Sequence, residues 1–159
     1  MFFAEGIEGL LTEEELRSMS GLDFIQGIIA GRLPMPPIGK ALNYHLESAE
    51  PGRCVFRGTP TFAAMNPIGT IHGGWFGTLL DSCMACAVQT TLPMGVLYTT
   101  LEYKVNIIRP ILPDTGDYLA IGDVDHAGRR TAVARGKLVS AETGKTFATG
   151  TTTCLIMGS

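Results

Sequence analysis

A chain of 159 residues, 45% apolar and 17% charged, is long enough to bury one core without cross-links and leaves little charge for its surface. Its formal net charge of −3 excludes the basic footprint of a nucleic-acid binder. No apolar run reaches the ~20 residues of a membrane-spanning helix. Met1-Phe2-Phe3-Ala4-Glu5 lacks the basic start of a signal peptide, and Glu5 and Glu8 interrupt the apolar stretch. The expected setting is the cytoplasm, and the lean surface points to apolar area covered by a partner subunit.

Residues 11–31 read as helical. Thr12 and Glu15 have the spacing of a capping box, and Leu11 and Leu16 that of a hydrophobic staple. Gly21 is expected to split the stretch into two short helices. Leu33-Pro34-Met35-Pro36-Pro37 reads as an extended connector, because proline forbids helix and restricts its predecessor. Strand-like runs follow at 41–49 and 53–60 around the turn Glu50-Pro51-Gly52. Residues 61–71 read as a loop holding Asn66-Pro67.

From 73 to about 91 the pattern is helical and apolar nearly all round: Trp75, Phe76, Leu79, Leu80, Met84, Ala85, Ala87 and Val88. A helix apolar on every face is a buried one. Pro93 and Gly95 end it. Residues 98–108 alternate with period two: Leu101, Tyr103, Val105 and Ile107 on one face, Thr100, Glu102, Lys104 and Asn106 on the other. Three more strands are expected at 117–126, 129–140 and 146–156, joined as hairpins at Gly128 and Thr143-Gly144.

The order predicts an α+β fold. An antiparallel sheet wraps around one long central helix, with an N-terminal helical segment ahead of it. Without alternating β–α units, a doubly wound sheet is disfavoured. One domain is expected over residues 1–159, with 1–37 as a helical extension and Pro-rich connector. The cysteines are Cys54, Cys83, Cys86 and Cys154. Cys83-x-x-Cys86 lies well inside the central helix, without the second pair or histidines of a zinc site, and reads as buried core. No metal site is expected.

Asp81 falls in the middle of the apolar helix. A buried carboxylate is costly unless it is hydrogen-bonded or paired. It is either a structural residue satisfied by donors such as Thr78 or Ser82, or a base or nucleophile in a water-poor site. His72-Gly73-Gly74 opens the same helix. The first N–H groups of a helix have no internal partner and lie at its positive end, ready to donate to an oxyanion. The glycines also suit a plain tight turn. Gly73 and Asp81 are eight residues apart, or roughly 12 Å along the axis at ~1.5 Å per residue. Groups acting on one reacting carbonyl must each lie within roughly 3 Å of it. If both act, Gly73 of one chain must work with Asp81 of another, which predicts a two-fold dimer.

Asn66-Pro-Ile-Gly-Thr-Ile-His72-Gly-Gly followed by Leu79-Leu80-Asp81 resembles the PaaI-like branch of hotdog-fold thioesterases. So do Gly31-Arg-Leu-Pro-Met-Pro-Pro, Thr100-Leu-Glu-Tyr-Lys-Val-Asn-Ile-Ile-Arg109-Pro110, Gly128-Arg129-Arg130-Thr131, and Ala148-Thr149-Gly150-Thr-Thr-Thr-Cys154. The resemblance implies hydrolysis of an acyl- or aryl-CoA, with Asp81 as nucleophile or general base. The Gly73 N–H would polarise the carbonyl, Asn66 and His72 would position it or the water, and Thr100 would assist the carboxylate. Thr99, one register away, is the neighbouring hydroxyl. The resemblance also implies homodimers, often paired into tetramers, and no metal or organic cofactor. Arg109, Arg129 and Arg130 are candidates for the CoA phosphates. Gly74, beside the oxyanion donor, and an apolar set of Trp75, Phe76, Met84 and Met94 are candidates for contacting the acyl group. The alternatives are a hotdog-fold hydratase or dehydratase and a non-catalytic acyl-CoA binding module.

Overall fold

The computed structural model describes residues 2–158. Among these, the α-helices are α1 (Glu13–Arg17), α2 (Gly21–Ile29), α3 (Pro37–Leu42) and α4 (Gly73–Gln89). The strands are β1 (Tyr44–Glu50), β2 (Arg53–Gly58), β3 (Leu97–Ile107), β4 (Tyr118–Ala127), β5 (Thr131–Ser140) and β6 (Thr146–Met157). They form one sheet in the order β1-β2-β4-β5-β6-β3, with every neighbouring pair antiparallel. α4 touches all six strands, as expected of a central helix. Among the described residues, no helix is long and apolar enough to cross a membrane.

A row of glycines explains how closely α4 lies on the sheet. Gly122, Gly136 and Gly150 stand opposite one another on β4, β5 and β6. A Cβ on Gly122 would fall 2.2 Å from the Cys83 carbonyl oxygen, and one on Gly136 2.8 Å from Met84 Cγ. Removing side chains here brings the helix backbone down onto the strands. Leu79, Leu80, Cys83 and Met84 are left with no exposure. Enclosing each large apolar side chain contributes roughly 1.5–3 kcal/mol.

The capping box forms: Glu15 N–H donates to Thr12 Oγ1 at 3.3 Å, and Thr12 N–H to Glu15 Oε2 at 2.8 Å. Gly21 does not break a helix but begins α2, behind Ser20, whose Oγ accepts from Asp23 N–H. A Cβ on Gly21 would lie 1.8 Å from the Gln89 carbonyl oxygen, and its N–H donates to Leu92 O at 3.0 Å. Only glycine lets the N-terminal segment dock backbone to backbone on the end of α4.

Two expectations need correction. The first strand begins at Tyr44, not 41, because α3 fills the gap. Pro37 serves as its first residue, where the missing N–H has no partner to lose, and Asn43 ends it at φ 53. The strict alternation expected at 98–108 also fails. β3 slips register against β6 between Thr100 and Glu102, leaving Leu101 as an extra residue. Before the bulge, Tyr98 and Thr100 reach α4, hydrogen-bonding Gln89 and Asp81. After it, Tyr103 and Ile107 lie against Gly77 and Gly73. β3 therefore runs antiparallel to α4 and faces it with even-numbered residues first and odd-numbered ones later.

Candidate active site

His72 caps α4: its Nδ1 accepts the Gly74 N–H at 2.8 Å. That occupies Gly74. The Gly73 N–H donates to no acceptor among the described residues, at the positive end of a 17-residue helix. Asn66, Thr70, Gly73, Ile107 and Arg109 line one cleft beside it. His72 and Gly74 open onto a separate cleft with Trp75 and Thr78. Asn66 and Gly73 thus meet, while His72 acts through the cap. Asn66 also fixes its own loop. Its Oδ1 accepts from Ile68 N–H at 3.1 Å and Thr70 N–H at 3.2 Å, and its Nδ2 donates to Thr70 Oγ1 at 2.7 Å.

Asp81 is half-buried and accepts a hydrogen bond from Thr100 Oγ1 at 3.0 Å. No ion pair among the described residues includes it. Burial pushes its carboxyl above the ordinary carboxylate range, and the Thr100 hydrogen bond offsets part of that rise. An unpaired, partly desolvated carboxylate held by one hydroxyl keeps electron pairs available for attack. Thr99 is exposed and lies one register from Thr100, so it does not reach Asp81.

The apolar set belongs chiefly to the core. Met84 is sealed under the glycine row, and Trp75, 2% exposed, donates Nε1–H to Leu42 O at 3.0 Å. Phe76 is also buried, while Met94 is 66% exposed in the turn after α4. Side chains packed into the core cannot also be offered freely to a ligand. The space sequence reasoning missed is an apolar cavity of about 380 Å³ between α1, α2 and the C-terminal half of α4. The apolar spacing of Phe24, Ile25 and Ile28 on α2 was its one signal.

The arginines divide between the ends of β3. Arg109 follows its Gly73 end and donates to the Thr146 carbonyl. Arg129 and Arg130 are exposed in the β4–β5 turn, at the Asp81 end, where the Arg130 carbonyl accepts from Ile156 N–H opposite Tyr98.

The sheet, its central helix and this helix-start loop define a hotdog-fold thioesterase architecture. The family model of the thioesterase superfamily matches residues 68–147, half of the chain, and the chain belongs to that superfamily. A phenylacetic acid degradation-related protein of Ralstonia eutropha JMP134 is 27% identical with a TM-score of 0.75, over 83% of this chain and 98% of that one. The E. coli PaaI protein from the phenylacetic acid degradation operon is 25% identical with a TM-score of 0.69, over 76% and 84%. A thioesterase protein of Streptococcus pneumoniae TIGR4, solved with coenzyme A, is 25% identical with a TM-score of 0.67, over 75% and 90%. The likeness is to the PaaI-like branch. A comparison with curated proteins finds no match.

Proposed function

We propose that this chain is an acyl-CoA thioesterase whose sites each combine two copies, with Asp81 attacking and the Gly73 N–H of the other copy holding the oxyanion. The observation that carries this reading is the half-buried Asp81, unpaired by any cation among the described residues and held by Thr100, on a helix whose first N–H has no acceptor among them. An N–H preset for the developing oxyanion is worth about 100 to 1,000-fold in rate.

The geometry of β3 supports the pairing. β3 is an edge strand of 11 residues, and Leu101, Tyr103 and Ile107 remain 57%, 46% and 50% exposed. A long apolar edge is a template for another strand. Two copies joined antiparallel along β3 would set Ile107 of one near Thr100 of the other. Since Ile107 lies over Gly73 and Thr100 bonds Asp81, each Gly73 would then meet the other copy's Asp81. The same join brings Arg109 of one copy toward the Arg129-Arg130 turn of the other, a cationic mouth for CoA phosphates.

Asp81 supplies the electron pair in either of two ways. It adds to the carbonyl carbon, expelling CoA thiolate and leaving a mixed anhydride that water opens. Alternatively it takes a proton from the attacking water. Heavy oxygen from solvent appearing in Asp81 after turnover marks the first route. His72 has its Nδ1 committed to the cap, which leaves only Nε2 for the acid–base role that a hydratase asks of histidine.

The test is release of free thiol from a panel of acyl-CoAs by the purified protein. Asp81→Asn is expected to lower kcat about 100 to 10,000-fold while CoA-ester binding persists. Turnover that survives the substitution would remove Asp81 from the mechanism.

A further inference from the structure

The cavity of about 380 Å³ has Leu16 and Phe24 in its N-terminal roof, Leu46 and Phe56 in its wall, and Ser82 and Cys86 in its floor. Among the described residues no charged side chain lines it. Its polar groups engage one another: Tyr44 Oη lies 3.1 Å from Ser82 Oγ, and Tyr98 Oη donates to Gln89 Oε1 at 3.4 Å. A ligand entering it meets chiefly apolar surface, so an aliphatic group is favoured over a polar one.

Asp81 does not itself line the cavity, but residues next to it and to its partner Thr100 do. Ser82 follows Asp81 on α4, and Tyr98 precedes Thr100 by two residues on the same face of β3. Burial raises both the Tyr44 and Tyr98 phenols above their ordinary range, and the charge of Asp81 adds to each shift.

We propose that this cavity holds the aliphatic tail of the thioester, so that the N-terminal helices, outside the matched residues 68–147, select the acyl group. The proposal rests on Asp81 being the attacking group. A methylene takes up about as much space as a water molecule, roughly 30 Å³, so the cavity suits a chain on the order of ten carbons. The favoured substrates are unbranched medium-chain acyl-CoAs. Short acyl groups and phenylacetyl leave the cavity underfilled.

The experiment compares kcat/KM for acetyl-, decanoyl-, tetradecanoyl- and phenylacetyl-CoA in the wild type, Cys86→Phe and Phe24→Ala. Decanoyl-CoA is expected to lead by at least about tenfold. Cys86→Phe fills the floor and should cut the decanoyl-to-acetyl ratio about tenfold, while Phe24→Ala should move the optimum to longer chains. A flat or phenylacetyl-led profile, or ratios unmoved by both variants, overturns the proposal. If Cys86→Phe misfolds, both esters fall together and Phe24→Ala alone decides. Calorimetry with decanoic acid separates the two readings. If no CoA ester is hydrolysed, the reading of Asp81 fails. Decanoate binding that Cys86→Phe removes then still supports the cavity assignment, and its absence in the wild type overturns it.

Discussion

At its first turn α4 presents backbone, and at its third turn it presents a side chain. Around Gly73 there is no Cβ, the nearest partner side chain is Ile107, and the useful group is an N–H without an acceptor. Around Asp81 the useful group is a carboxylate, fixed by Thr100 and raised in pKa by burial. In the proposed reaction the first end would stabilise charge as it forms and the other would supply charge already present. One helix keeps them roughly 12 Å apart, so the proposed joint action on one carbonyl needs a second copy.

The sharpest break of this comparison mixes two dead variants. Asp81→Asn and Gly73→Val should each be inactive, the latter because even a Cβ at 73 would sit 3.3 Å from Ile107 Cδ1 in the carbonyl's approach. Refolded together, half of the dimers carry one intact site, so about a quarter of wild-type activity should return. No recovery in thiol release would show that both groups act within one chain.

Thr100→Val tests the attacking end alone. Asp81 must be ionised to act, so turnover rises with pH through a pKa above the ordinary carboxylate range. Losing the Thr100 hydrogen bond should move this acid limb of the kcat profile to still higher pH and lower kcat about tenfold. An unmoved limb would reduce Thr100 to packing. Weaker still, Arg109→Ala or the double change Arg129→Ala, Arg130→Ala should raise KM for a CoA ester a few-fold, about the worth of partly exposed ion pairs. Neither should affect the matching pantetheine ester, which lacks the nucleotide phosphates.

The smallest effect runs opposite to activity. A carboxyl with a raised folded-state pKa binds its proton more tightly in the native chain. Its contribution to stability is therefore greatest at acid pH and is lost as pH rises from the ordinary carboxylate range through the raised value. At neutral pH ionised Asp81 is a burden. Asp81→Asn should raise Tm on the order of 2 °C in thermal denaturation at neutral pH, and the gain should vanish in acid.

Much of this was legible in the sequence. The run from Trp75 to Val88 announces a buried helix, and Asp81 stands out in it because a carboxylate there is costly. The hairpins at Gly128 and Thr143-Gly144 follow from turn chemistry and are found between β4, β5 and β6. Other features have no local signature. α3 was hidden because Pro37 continues a proline-rich run that reads as extended. The cavity is assembled from residues between Leu10 and Tyr98 that no periodicity unites. Trp75 and Met84 suit an acyl pocket and a core equally by composition; only the glycine row opposite, three strands away in sequence, assigns Met84 to the core.

Leu101 behaves as a half-cycle delay in an alternating signal. Upstream, the strand is in phase with the helix on even numbers; downstream, on odd ones. The two halves of the site are read from opposite phases, so the length of β3 is effectively quantised. In an unbroken strand Thr100 and Tyr103, three residues apart, would point to opposite faces; the extra residue lets one strand keep the hydroxyl on Asp81 and the side chains over Gly73 and Gly77 together.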